Sequence, residues 1–120
     1  MKLLKSGEDY LETILILSKK GNVRAIDIVN ELNYSKPSVS IAMKKLKENG
    51  YIKINNSNIN LTSQGYEIAS RIYERHEILT KALVLLGVKK EVALEDACKI
   101  EHDISDETFE KLKEFLMKRN

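Results

Sequence analysis

Apolar residues recur at helical spacing through the first fifty positions, alternate for about ten, and then return to helical spacing. Leu11, Ile14 and Leu15 mark the stripe of a first helix, predicted to run from a Ser6 cap to about Lys20, with Glu8 and Asp9 near its positive end. After the Gly21-Asn22 break, Ile28, Val29 and Leu32 mark a short second helix. The turn "NYSKPS" places Ser35 as the cap of a third helix that accepts Pro37 in its first turn. That helix would bury Val39, Met43 and Leu46 and stop at Asn49-Gly50. In "YIKI" and "INLT", Ile52 and Ile54 would share a face and meet Ile59 and Leu61 across a hairpin joined by "NNSN".

Beyond Thr62 only helical patterns follow. Thr62 is expected to cap a long fourth helix reaching Leu86-Gly87, with Ile72, His76, Leu79 and Leu83 on one stripe. A fifth helix is expected over roughly Glu91 to Asp103, and Ser105 would cap a sixth carrying Phe109, Leu112 and Leu116. Helix, short helix, turn, helix, hairpin is the winged helix-turn-helix order. The expected fold is therefore mainly α: a winged helix-turn-helix over residues 1–62, then a helical domain over residues 63–120. Such apolar stripes on small helical modules commonly pair, which makes a homodimer the expected assembly and suits DNA with two half-sites.

Composition narrows the class. One proline and five glycines in 120 residues fit helices with short connections. A single cysteine excludes an internal disulfide, nothing resembles a secretory signal, and "ALVLLGV" is far too short to cross a bilayer. A cytoplasmic protein with no membrane partner is expected. The net charge of +2 hides an asymmetry, because residues 1–62 carry ten basic and six acidic side chains whereas residues 63–120 carry ten and twelve.

The basic half suits DNA. Ser35, Lys36, Ser38 and Ser40 place short donors in the first turns of the third helix, and Lys44, Lys45 and Lys47 follow where a phosphate backbone would run. A lysine cluster on a helix is by itself an ordinary solvated face; its place on the second helix of this motif favours double-stranded DNA as partner.

The acidic half holds the candidate chemistry. In "CKIEHDIS" the spacing brings Cys98, Glu101 and His102 to one helix face. His76 interrupts an apolar stripe, where a core histidine bonded to a neighbour is the ordinary alternative. Asp9 and Glu12 lie three apart on the first helix and point away from its stripe; serving the helix dipole is the bland account of both. Together these are six potential ligands on three helices. Carboxylate and imidazole suit Mn²⁺ and Fe²⁺, and a thiolate shifts preference toward softer or later metals. No C-x-x-C pair is present for a structural zinc site. An enzyme using Asp9 and Glu12 as an acid/base pair is disfavoured: there is no glycine-rich phosphate loop, no nucleophile-base pattern, and little room for a small-molecule substrate. A metal-independent winged-helix regulator or interaction module remains the alternative.

With "EDYLETIL", "RHEIL" and "ACKIEHDISDE" in order, the chain resembles the diphtheria-toxin-repressor and manganese-transport-regulator family of metal-dependent transcriptional repressors over nearly its whole length. The resemblance implies a cytoplasmic homodimer whose binding of Fe²⁺ or Mn²⁺ switches on operator binding and represses metal-uptake genes. It implies metal ligation by Asp9 and Glu12, as in manganese-type members, by His76, and by the Glu101-His102 pair of both branches. Cys98 resembles the iron type, where manganese-type members carry glutamate, so the implied site is a hybrid. Leu94 stands where the iron type places a second histidine, which implies loss or alteration of an ancillary site. Ser35, Pro37 and Ser38 resemble the family's recognition helix, whereas Ile41 replaces a base-contacting glutamine of the iron type. The chain ends before the SH3-like domain of many iron-type members, which matches the short manganese type.

Overall fold

The computed structural model describes residues 3–119 and contains six helices and one two-stranded hairpin among them. The elements run α1 (Lys5–Ser18), α2 (Ala25–Leu32), α3 (Lys36–Glu48), β1 (Ile52–Asn55), β2 (Asn58–Leu61), α4 (Ser63–Leu85), α5 (Lys90–Ile100) and α6 (Asp106–Arg119). Two compact units result, Met1–Ser70 and Arg71–Asn120, and the division falls within α4.

In the first unit Leu11, Ile14, Ile28 and Val39 have no exposed surface, and Met43, Leu46, Ile52 and Ile59 join them in one core. The three helical stripes thus bury the faces their spacing marks. Ser35 caps α3 by accepting from the Ser38 N–H at 3.2 Å. The helix ends on Gly50, whose φ of 81° lies in the left-handed region that glycine enters without steric cost. Gly50 N–H then bonds to Lys47 O and Tyr51 N–H to Leu46 O, closing a Schellman turn with Tyr51 and Leu46 both buried.

The hairpin pairs Ile52 with Leu61 and Ile54 with Ile59, as the alternation requires. Its turn is shorter than "NNSN": only Asn56 and Ser57 are unpaired, both at positive φ, the requirement of a type I′ connection. The wing is tied back to the chain before α2, since Ile59 N–H donates to Val23 O at 2.7 Å and Asn58 Oδ1 accepts from Val23 N–H at 3.0 Å. Thr62 caps α4, accepting from Gly65 N–H and donating its own hydroxyl to Gly50 O. Gly65 has no room for a side chain: a Cβ there would stand 2.1 Å from Tyr51 O.

Two boundaries depart from expectation. Leu4, not Ser6, is the first cap: its extended backbone turns into the helix and its carbonyl accepts from Glu8 N–H, so Ser6 lies inside the first turn of α1. The fifth helix stops at Ile100 rather than Asp103. The carbonyl of Glu101, the residue that closes the helix, accepts from an arginine on α4, and residues 101–103 form a turn.

In the second unit Ile72, Leu79, Ala93, Ala97, Phe109 and Leu116 are buried. Ser105 caps α6 through Thr108 N–H at 3.2 Å. Glu74 and Lys113 tie α4 to α6 at 3.0 Å, and that hydrogen bond raises the Lys113 ammonium above its usual pKa. Among the described residues no helix is long and apolar enough to cross a membrane.

Candidate metal centre and nucleic-acid face

His76 is carried by the middle of α4, Cys98 by the last turn of α5, and Glu101 by the residue that closes α5. The three meet in space. His76 Nδ1 lies 3.0 Å from Glu101 Oε1 and 3.8 Å from Cys98 Sγ, and one ligand atom from each falls within 4.8 Å of the others. Glu101 is 1% exposed, His76 is half-buried and Cys98 faces outward.

A carboxylate removed from water ordinarily uses both oxygens. Here Oε1 is satisfied by His76, while Oε2 is buried and has no hydrogen-bond partner among the described residues. An acceptor left open beside an imidazole and a thiol fits a cation. The spacing fits too, because two ligand atoms at about 2.1 Å from one ion and at right angles around it stand about 3 Å apart.

The helix face predicted for "CKIEHDIS" is only partly realised. Cys98 and Glu101 join His76, but His102 lies in the turn beyond α5, half-buried and outside this cluster. Asp9 and Glu12 sit on α1 of the first unit, Asp9 half-buried and next to the buried Tyr10. Tyr10 packs edge-on against Tyr34, with ring centroids 5.8 Å apart, in the turn just before the α3 cap. Burial, and then Tyr34, push the Tyr10 phenol above its usual pKa.

On α3, Lys36, Pro37, Ser38, Ser40, Lys44, Lys45 and Lys47 are all exposed. Ser35 is exposed as well, but its hydroxyl is engaged: it caps the helix and donates to Ser38 Oγ at 2.8 Å. A groove between α3 and the wing is lined by Ser40, Lys44, Lys47 and Ser57 together with Arg24. Arg24 was not singled out by its sequence context, since its arrival beside α3 depends on how α2 packs. Arg75, buried and bonded to the Glu101 carbonyl, was missed as well; its only sequence signal is its place directly before His76.

Comparison with known proteins agrees with this geometry. Residues 2–58 match the iron dependent repressor N-terminal DNA binding domain, and residues 62–120 match the iron dependent repressor metal binding and dimerisation domain. An uncharacterized HTH-type transcriptional regulator of Methanocaldococcus jannaschii is 37% identical over 118 residues, covering 95% of this chain and 94% of its own. The transcriptional regulator MntR of Escherichia coli is 35% identical over 113 residues, 92% of this chain and 73% of its own. The solved structure of the manganese regulator SloR superposes with a TM-score of 0.82 at 30% identity, covering 97% of this chain and 54% of that one, so this chain spans about half its length. The chain belongs to the iron-dependent repressor family of metal-dependent transcriptional regulators.

Proposed function

We propose that this protein is a metal-responsive repressor that binds operator DNA as a homodimer when loaded with Fe²⁺ or Mn²⁺, and that it controls metal-uptake genes in the cytoplasm. The observation that carries this reading is the buried, unpartnered Glu101 Oε2 beside His76 and Cys98. Glu101, His76 and Cys98 hold the ion; on the strength of the family resemblance alone, His102, Asp9 and Glu12 are also assigned as metal ligands. A bound divalent cation would supply the positive charge that this set of acidic and soft donors lacks.

Residues 1–62 serve as the DNA-binding half and residues 63–120 as the metal-binding and dimerisation half. Lys36, Lys44 and Lys45 neutralise phosphates, while Ser38 and Ser40 offer donors to the backbone or base edges, with Ser35 and Pro37 shaping the turn that presents them. Exposed Leu85, Leu86, Val92, Phe115 and Met117 give the second unit an apolar surface suited to a second copy of the chain. Shifting a two-state equilibrium from mostly incompetent to mostly competent takes about 5.5 kcal/mol of differential affinity, within the range of several ligand bonds.

Calorimetric titration with Mn²⁺ and, without oxygen, Fe²⁺, combined with elemental analysis, tests the reading. At least one ion per chain is expected. Absence of binding by either metal would leave a metal-independent winged-helix regulator.

A further inference from the structure

Arg75 is 6% exposed, and a buried arginine is ordinarily paired. Here Nε is buried without a hydrogen-bond partner among the described residues, and the two terminal nitrogens carry the contacts. Its Nη1 donates to the carbonyl oxygens of Glu101 at 3.2 Å and Ile104 at 2.8 Å. Its Nη2 pairs with the Asp106 carboxylate, and the guanidinium carbon stands 5.4 Å from the centre of the Phe109 ring. One side chain on α4 thus holds the chain from the close of α5 into the first turn of α6.

The first of these anchors is the peptide of Glu101 itself. Carbonyls at a helix C-terminus lack intrahelical partners, and this one is fixed by a planar, always-charged donor instead of water. The Glu101 carboxylate is buried with one oxygen open, an arrangement the residue would relieve by swinging toward solvent if its backbone could turn. His76 restrains the carboxylate end; Arg75 restrains the backbone end.

We infer that Arg75 is a positioning residue for the metal centre, holding the Glu101 peptide so that its carboxylate faces His76 and Cys98 before an ion arrives. Preorganised ligands bind more tightly because less ordering accompanies binding. Asp106 steadies the guanidinium and balances its charge, which would otherwise repel a cation nearby. The inference rests on the metal-binding reading above.

Co²⁺ is the probe, because ligation by Cys98 gives a thiolate charge-transfer absorption that reports the site directly. The full chain, Arg75→Lys, Arg75→Met and Asp106→Asn are titrated with Co²⁺, and the melting temperature of each metal-free protein is recorded. Arg75→Met should weaken Co²⁺ binding by roughly 10- to 100-fold, the usual effect of losing a residue that orients a ligand. Arg75→Lys, with one ammonium for two carbonyls, should lose less. Asp106→Asn alters an exposed carboxylate and keeps the core intact, so it remains informative should Arg75→Met not fold; a loss of several-fold is expected. Binding by wild type together with unchanged affinity in Arg75→Lys and Asp106→Asn, whatever their melting temperatures, overturns the positioning role. Failure of the wild-type chain itself to bind Co²⁺, Mn²⁺ or Fe²⁺ instead removes the metal reading on which the role depends.

Discussion

His76 Nδ1 and Glu101 Oε1 stand 3.0 Å apart although 25 residues separate them in the chain. The contact satisfies one oxygen of a buried carboxylate and leaves the other open, an arrangement that suits a cation and underlies the proposed metal site. Cys98 adds a third donor from the adjacent turn.

A site with an open buried acceptor should gain stability on metal binding. Ligand at about 100 times its Kd adds about 2.7 kcal/mol, which for a chain of this size raises the melting temperature by roughly 10 °C. Glu101→Gln keeps the side-chain volume and an acceptor for His76 but removes the charge, so most of that rise should vanish. Thermal unfolding with and without Mn²⁺ measures it; an equal rise in the variant would take Glu101 out of the site.

Cys98 should set metal preference. Its thiolate favours Fe²⁺ and Co²⁺ over Mn²⁺ more than a carboxylate would. Cys98→Glu should move the Mn²⁺/Fe²⁺ affinity ratio toward Mn²⁺ by on the order of tenfold. Competition titrations read the ratio directly, and an unmoved ratio means the cysteine does not select the metal.

How much of this was legible in the chain depends on how local each feature is. The Ser35 cap, the Gly50 stop and the Ile54–Ile59 pairing follow from residues within a few positions of one another, and the structure bears them out. The end of α5 was misjudged because the helical pattern continues through His102, while Arg75, some 26 residues earlier, captures the Glu101 carbonyl. The long-range nature of the same contact explains why Arg75 itself escaped notice. Ser6 failed as a cap because α1 begins before it. Leu4 is the residue that turns into the helix, with no side-chain cap, and its carbonyl accepts the first intrahelical bond from Glu8 N–H.

Lys44 and Lys45 should account for part of the salt dependence of DNA binding. Each phosphate contact contributes about 0.9 to the slope of log affinity against log salt, so Lys44→Ala with Lys45→Ala should flatten it by up to about 1.8. Affinities at several salt concentrations test this, and an unchanged slope places both lysines off the DNA.

Gly65 should be irreplaceable on steric grounds. A Cβ placed 2.1 Å from Tyr51 O forces the start of α4 away from the wing. Gly65→Ala should destabilise the protein by about 2–3 kcal/mol. Denaturant unfolding checks it; a loss below 0.5 kcal/mol, about the scatter of neutral surface changes, would show that the close approach relaxes freely.

The most direct test of the whole account is the affinity of the purified chain for operator DNA, measured side by side after chelation and after loading with Mn²⁺ or Fe²⁺. The account predicts tighter binding by the loaded protein, on the order of 100-fold. Equal affinity in the two states would contradict it.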